Sequence, residues 1–564
     1  VKSERWRDQV VPLPNAVAER YRAAGYWKGR TIGDHFHAVA QRYPDNIAVV
    51  DADSRYTYRE LDRRTDLIAA GLLGLGFTPG DAVLFQVENS AETVLAWYGV
   101  IKAGLIPVAT LAAHRGHEIG QIGELTTARG HLVQADYPKI DLVEFARRMA
   151  AESPETTDRI ILTVGRSTHP DVVAIAELGA DIGAEQARAL IERTAAGIDG
   201  DDIAVFQLSG GTTSVPKVIP RLHDEYWYNA AAYAARLGWD DTVRAAHILP
   251  VIHNAGIVLG VHAAHSVGAA MVLGTPDPDR FLPLMAENGV TDILFYPALA
   301  LGWAQHPQFD RATAGLRRVI LTGSKINDES FALFEDRGIR GLGLYGAGEG
   351  LVMVTPPDAP AAVRQHSVGI PLSELDEVRV LEPGTEKEVP DESIGELCFT
   401  GPYTLRGYLN SPERNAEVFT SDGLFRSGDL VAARTIAGVR TYTFEGRAKD
   451  LVNRGGEKVN SAEIESLVLQ IPGIRRAALV PVPDERLGER GCICVEVVED
   501  SPVPTLADIT RFLEARDVAK FKWPERLEVM ALPSTRVGKI DKRALLEEVL
   551  AQPISGATDS ASVG

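Results

Sequence analysis

Cysteine is scarce in this chain. Only Cys398, Cys492 and Cys494 occur among 564 residues, and their spacing makes neither a metal-ligand pattern nor a disulfide framework. A reducing compartment, the cytoplasm, is therefore expected. In "CICVEVV" Cys492 and Cys494 share one face of a predicted strand, where buried packing is favoured over redox chemistry. Excess positive charge is missing too. The formal charge is -19 at pH 7, which argues against a nucleic-acid or membrane-surface partner, since either selects a basic face. Nucleotides held in small local pockets are not excluded. The most apolar long stretch, "NAGIVLGVHAAHSVGAAMVLG" at 254–274, is broken by His262, His265, Ser266 and its glycines. It divides into a helix followed by the strand "AAMVLG" and not into a membrane span. The opening "VKSERWRDQVVPLP" has no apolar core, so no secretion signal is expected, and no internal repeat is present.

What the chain does contain is an ordinary globular composition, 45% hydrophobic and 24% charged, at a length too great for one compact core. "RYTYRELDRRTDLIAAGLLGLGF" predicts a short strand and a helix, and "DAVLFQVEN" a strand before the helix "AETVLAWYGVIKAG". The alternation continues through "GHLVQAD", "RIILTVG", "DILFYPA" and "RRVILTG". Such a pattern predicts α/β layers around largely parallel sheets. From about residue 365 the short strands of "DEVRVLEPG", "GELCFTG" and "TYTFEGR" predict a β-rich subdomain. Beyond Arg447, "AKDLVNRGGEKVN" leads into the helices "SAEIESLVLQI" and "KIDKRALLEEVL" of a smaller α+β domain. The expected organisation is a large N-terminal domain over 1–447, a small α+β domain over 448–551 and a polar disordered tail over 552–564.

One stretch points directly to chemistry. "QLSGGTTSVPKVIPR", residues 207–221, gathers Ser209, Gly210, Gly211, Thr212, Thr213 and Lys217. Glycines let a backbone approach phosphate closely, hydroxyls and N–H groups donate to its oxygens, and lysine adds a point charge. A Walker loop is excluded, because Pro216 stands where its second glycine belongs and Val218 where its magnesium-binding hydroxyl belongs. Taken alone, the stretch also fits an ordinary polar hairpin loop.

Five stretches in order decide between these readings. "SGGTTSVPK", "YGAGEG" (345–350), "FRSGDL", "GRAKDLVNRGGEKVNSAEIE" and "PSTRVGKIDKRAL" together resemble the adenylate-forming superfamily of acyl-CoA ligases, luciferases and peptide-synthetase adenylation domains. Singly each is weak, since Glu349, Asp429 and Lys539 would by default be a solvated carboxylate, a turn residue and a surface charge. The resemblance implies ATP as co-substrate, with Ser209, Gly210, Gly211, Thr212, Thr213 and Lys217 on the phosphates and Glu349 holding Mg²⁺. Tyr345 would stack on adenine, with Gly346 and Gly323 beside the nucleotide, while Asp429 and Arg447 would take the ribose hydroxyls. Lys539 would bridge carboxylate and α-phosphate in the transition state. Lys449 would be the hinge of a mobile C-terminal lid, whose rotation brings Gly455, Gly456 and Glu457 to the site for a second half-reaction.

Further likenesses, "ERYRAAGYW", "GLIPVATLAAHRGHEI", "LPVIHNAG" and "TGPYTLRGY", resemble the stand-alone aryl acid AMP ligases that act on 2,3-dihydroxybenzoate and salicylate. They imply an ortho-hydroxy or ortho-amino aryl acid, 3-hydroxyanthranilate and 3-hydroxypicolinate included, read by the Asn254 amide. Gly323, Ser324, Ala347, Leu351 and Val352 would wall the acid pocket, and His253 would gate it or pack in the core, the core role being favoured. The chain departs from the pattern at Ser214, Gly348 and Ala255, and Ala255, in place of an aromatic, should enlarge the pocket. The implied acceptor is a separate phosphopantetheinyl carrier protein, with coenzyme A as runner-up and a non-catalytic nucleotide-binding homologue as the reading from another class.

Overall fold

The computed structural model describes residues 5–551 apart from 154–157, 170–171, 210–216, 324–325, 455–456, 485–486, 500, 517, 519 and 536–538. The tail proposed for 552–564 therefore lies outside the described residues. The chain forms two compact units. One comprises Val1–Val378, Phe399–Arg426 and Thr435–Tyr442, and the other Arg379–Cys398, Ser427–Arg434 and Thr443–Gly564.

The first unit holds two large sheets. In one, Ile370–Pro371, Val352–Val354, Arg340–Gly346, Arg318–Leu321, Asp292–Phe295, Arg244–His247, Ala270–Leu273, Ile47–Val50 and Arg55–Thr57 lie side by side in that order. The six strands from Arg340–Gly346 to Ile47–Val50 run parallel. The other sheet orders Val173–Ala174, Ile160–Val164, Gly130–Gln134, Ala82–Gln86, Ile106–Val108, Ile203–Leu208 and Val218–Leu222, with only the last strand antiparallel. The strands expected at "GHLVQAD", "RIILTVG", "DILFYPA" and "RRVILTG" are all present. Parallel sheets bury both faces, which is why these runs are continuously apolar.

The helices begin where the sequence offers caps. Thr31 with Asp34 and Thr57 with Glu60 form capping boxes at Ile32–Arg42 and Tyr58–Gly74, satisfying first-turn N–H groups that lack helical partners. Helix Ala91–Lys102 buries nearly every side chain and touches strands of both sheets. Its one lysine, Lys102, is paired inside with Asp62 Oδ1 and Asp66 Oδ1 at 2.7 Å each.

The helix expected within 254–274 is present but of an unforeseen kind. Ala255–His262 is a π-helix, continued by Ala263–Ser266 and then by the strand Ala270–Leu273. Periodicity reveals that a segment is helical and buried, but not which carbonyl each N–H selects. Here tertiary packing decides: a Cβ at Gly256 would lie 2.4 Å from the Val251 oxygen, so the chain leaves its loop in tight contact with it.

The β-rich region appears as a four-stranded sheet in the order Glu377–Leu381, Ile394–Thr400, Phe425–Ile436, Val439–Arg447. In the second unit, Glu457–Asn460, Leu451–Arg454, Gly488–Val497 and Ile474–Asp484 form a sheet to which Arg526–Val529 adds in parallel. Cys492 and Cys494 are fully buried in that sheet, as their spacing suggested. Among the described residues no helix is long and apolar enough to cross a membrane.

Five histidines of the first unit are buried: His131, His223, His247, His262 and His265. Trp97 Nε1 donates to His262 Nε2 at 3.1 Å, and His265 lies between Tyr98 and the Ala48 carbonyl. Burial holds His265 down at about 4 and the other four at about 3. These rings are neutral when folded, whereas an exposed imidazole protonates near about 6.5. Below that pH the unfolded chain binds protons that the folded chain refuses, which lowers stability by about 1.4 kcal/mol per pH unit for each such proton. His35, lowered to about 4 by burial, adds a sixth ring. Asp376, pushed up to about 7 by burial, acts in the opposite sense, as do Glu88, Glu92, Asp224, Glu225 and Glu465, whose carboxyls burial raises by less, so they offset part of the loss. A melting series is expected to be nearly flat from pH 8 to 7 and to fall steeply from about pH 6.5 downward. A flat profile to pH 5 would contradict the neutral rings.

Candidate active site

Neighbouring parallel strands end on the same side of their sheet, and α/β proteins place ligands beyond those carboxyl ends. Four strands of the first unit deliver residues there. Arg244–His247 leads to His253 and Asn254, Asp292–Phe295 to Tyr296, Arg318–Leu321 to Gly323, and Arg340–Gly346 carries Tyr345 and leads to Ala347, Gly348 and Glu349. Gly323 has a φ of +82°, and a Cβ there would stand 2.5 Å from Tyr296 Cε1. Only glycine lets these two strand ends meet.

The glycine-rich stretch is the connection of a hairpin. Ile203–Leu208 pairs antiparallel with Val218–Leu222, and Ser209 N–H donates to the Lys217 carbonyl at 3.0 Å, closing its base. Ser209 Oγ is buried and has no hydrogen-bond partner among the described residues. Gly210, Gly211, Thr212 and Thr213 lie outside the described residues. Lys217 Nζ stands 5.1 Å from the centroid of the Tyr408 ring, and Tyr408 donates its hydroxyl to Glu349 Oε1 at 2.8 Å. Burial, then the Glu349 charge, pushes the Tyr408 phenol well above its usual value, so it remains a donor. Tyr408 thus links the hairpin lysine to the carboxylate. Its role was not anticipated, although "TGPYTLRGY" had already been noted.

Glu349 is held by its backbone as well. Leu405 N–H donates to the Glu349 carbonyl at 2.8 Å, and Ala347 N–H to that of Leu351 at 2.9 Å. Gly350 has a φ of +124°, and a Cβ there would come within 1.9 Å of the Tyr403 oxygen. Arg221, the last residue of the hairpin stretch, is fully buried. It donates to the carbonyls of Gly348 at 3.2 Å and Tyr403 at 2.7 Å, and its Nε lies 3.1 Å from Glu225 Oε1, an ion pair outside hydrogen-bond alignment. At Gly348 a Cβ would meet only Ile219 Cδ1, at 3.7 Å, so packing does not require glycine there.

Asn254 is 9% exposed, and its Oδ1 has no hydrogen-bond partner among the described residues. His253 is exposed, which corrects the core packing favoured for it, because the loop turns it outward before the π-helix begins at Ala255. Leu351 and Val352 are fully buried, Ala347 is half-buried, and Ser324 lies outside the described residues.

In the second unit, Asp429 lies on strand Phe425–Ile436 and Arg447 ends strand Val439–Arg447, with Arg447 Nε 3.1 Å from Asp429 Oδ1. Lys539 N–H donates to Thr535 Oγ1, and Thr535 N–H to the Lys539 carbonyl, at 3.2 and 2.6 Å. Loss of surrounding water lowers the Lys539 pKa, as does Arg447, with Asp429 opposing, although the residue as a whole is exposed. Lys449 lies in the short turn Ala448–Asp450, and Glu457 opens the strand Glu457–Asn460. Gly455 and Gly456 lie outside the described residues.

Among the described residues no group of three or more His, Cys, Asp or Glu side chains could hold a metal by itself. A single hard carboxylate such as Glu349 suits Mg²⁺ that arrives on phosphate oxygens, since that ion is usually held by one or two carboxylates together with substrate phosphates.

The hairpin and the turn after Arg340–Gly346 thus bring a lysine, a tyrosine and a carboxylate of one α/β unit together. The family described as AMP-binding enzyme matches residues 36–409, and that described as AMP-binding enzyme C-terminal domain matches 463–539; the chain belongs to the AMP-binding enzyme family. It is 39% identical over 555 residues to a salicylyl-CoA synthase / salicylate adenylyltransferase of Streptomyces sp, covering 96% of this chain and 98% of that protein. It is 38% identical over 551 residues to a salicyl-AMP ligase / salicyl-S-ArCP synthetase of Mycobacterium tuberculosis, covering 96% and 94%. Among solved structures it resembles apo MbtA of Mycobacterium smegmatis, with a TM-score of 0.71 at 36% identity, covering 96% of this chain and 99% of that one.

Arg221→Met leaves the buried Glu225 without its counter-charge and frees two carbonyls. It should destabilise the protein by about 3 kcal/mol or more. Arg221→Met with Glu225→Gln should recover part of that loss, measured by denaturant unfolding. Equal losses in the single and double variants would remove the ion pair from the account.

Proposed function

We propose that this enzyme activates an ortho-hydroxy or ortho-amino aromatic carboxylic acid with ATP and then passes the acyl group to a thiol. The observation that carries the reading is the buried Asn254 amide, whose Oδ1 no protein group satisfies. A buried acceptor without a partner is costly, and an ortho hydroxyl or amine would satisfy it. Full-length likeness to enzymes named for salicylate supports the same choice.

In the first step a carboxylate oxygen attacks the α-phosphorus, the bond to the β-phosphate oxygen breaks, and pyrophosphate leaves. Two anions must meet, so the protein's contribution is positive charge and alignment. Ser209, Gly210, Gly211, Thr212, Thr213 and Lys217 hold the phosphates, and Tyr345, Gly346, Gly323, Asp429 and Arg447 hold the nucleoside. Glu349 holds Mg²⁺, which supplies charge neutralisation when bound. Lys539 neutralises the oxygens as the new bond forms. In the second step a thiol sulfur attacks the acyl carbon and AMP leaves. For this the boundary between adenylating domain and lid lies at 447/448, Lys449 is the hinge, and Gly455, Gly456 and Glu457 enter the site. The acceptor is a phosphopantetheine thiol on a separate carrier protein. Coenzyme A is the second reading, favoured by the Streptomyces relative's name. Three free, buried cysteines fit a cytoplasmic enzyme.

Acid-dependent ATP–pyrophosphate exchange over benzoate, salicylate, 2,3-dihydroxybenzoate, anthranilate, 3-hydroxyanthranilate, 3-hydroxypicolinate and a medium-chain fatty acid tests the substrate class. An ortho-substituted aryl acid should exceed benzoate by about tenfold or more; preference for the fatty acid would sink the assignment. Lys539→Ala should lower exchange by about a hundredfold or more while ATP binding persists. Undiminished exchange would mean another group does its work. Tyr408→Phe frees Glu349 and should raise the Mg²⁺ concentration for half-maximal exchange about tenfold, with an unchanged requirement counting against the link.

A further inference from the structure

Ala255 does more than follow Asn254. It lines a small internal cavity whose other walls include Leu259 and Gly260 of the π-helix and His247, Leu294 and Ile320 of the parallel sheet. Strands that lead to Asn254, Tyr296 and Gly323 therefore also wall this space, with His247 the last residue of its strand and Leu294 and Ile320 one residue before the ends of theirs. The free space is about 10 Å³, room for one hydroxyl- or amine-sized group and not for a second ring.

His247 gives the cavity its chemistry. The residue is 1% exposed, and its Nε2 has no hydrogen-bond partner among the described residues. Its ring is pressed against the glycine side of the π-helix, since a Cβ at Gly256 would stand 2.8 Å from Nε2 and one at Gly260 3.9 Å from Cγ. The other polar wall is already satisfied: Asp292 accepts from Trp239 Nε1 at 2.9 Å and from the Arg318 guanidinium. Burial first, then His253, holds His247 at about 3, while the Leu249 backbone opposes them. An acceptor such as that backbone carbonyl favours the tautomer protonated towards it, which leaves the Nε2 lone pair open.

We propose that this cavity is a subsite of the acid pocket and that His247 makes it selective: a hydroxyl or amino group on the aryl ring, away from the carboxylate, passes Ala255 and donates to His247 Nε2. The inference rests on the aryl acid reading of the site. It assigns the substrate a second polar substituent besides the one at Asn254, and it gives the small side chain at Ala255 a purpose. An aromatic residue there would close the opening.

The test is pyrophosphate exchange with salicylate, with 2,3-, 2,4- and 2,5-dihydroxybenzoate, and with the salicylates carrying methyl in place of each second hydroxyl. At one ring position the hydroxy acid should exceed its methyl counterpart in kcat/KM by about tenfold or more. His247→Leu should bring that ratio close to one or invert it. Should that variant fail to fold, Ala255→Val, which narrows the opening and keeps His247, should lower the same ratio. A general structural defect lowers both acids together and leaves the ratio in place. Ratios near one at every position, or a preference that survives both variants while salicylate still turns over, would overturn the subsite and leave the aryl acid reading intact. Exchange with no aryl acid at all would overturn both.

Discussion

A guanidinium removed from water must be fully engaged, and Arg221 meets that demand by drawing three remote parts of the chain together. Its own strand follows the phosphate hairpin, Gly348 belongs to the Glu349 turn, and Tyr403 opens the segment that continues to Tyr408. Glu225 neutralises the charge from one helical turn away. Once these are tied, the remaining geometry has little freedom. Gly350 must pass so close to the Tyr403 oxygen that no side chain fits, Leu405 captures the Glu349 carbonyl, and the Tyr408 hydroxyl meets the Glu349 carboxylate. Asp376 braces Tyr403 through its hydroxyl. The Glu349 carboxylate is thus oriented by groups from another part of the chain.

The parallel sheet supplies the complementary constraint. Because its strands end together, loops of unrelated sequence meet without any long excursion of the chain. Tyr296 and Gly323 come into contact only because one of them lacks a side chain. Beneath them the sheet face and the π-helix enclose His247, a neutral imidazole beside the already paired Asp292 and a largely apolar wall. The same burial that makes such rings sensitive to acid keeps them available as hydrogen-bonding groups at neutral pH.

Much of this was legible in the chain itself. Continuous apolar runs marked the buried parallel strands, and the ordered motifs marked the family to which the chain belongs. Other features left no local trace. Arg221 and Tyr408 belong to stretches that stand out for other reasons, and nothing in their neighbours announces acceptors 127 and 182 residues away for Arg221 and 59 residues away for Tyr408. His253 was expected in the core, yet the turn that precedes the π-helix exposes it.

What the sequence by itself determined is composition, periodicity and the order of chemically competent residues: an acidic, two-part α/β chain with a glycine-rich stretch ending in a lysine and a second lysine late in the chain. These are local properties, and they survive reading one residue at a time. What only the tertiary structure decided is which polar atoms are answered and which are left open. Asn254 Oδ1 and His247 Nε2 are open, Asp292 and Glu225 are answered, and each outcome depends on packing between strands and helices far apart in the chain. Hydrogen bonding is directional and short-ranged, so satisfaction is a property of assembled neighbours and cannot be read from sequence spacing.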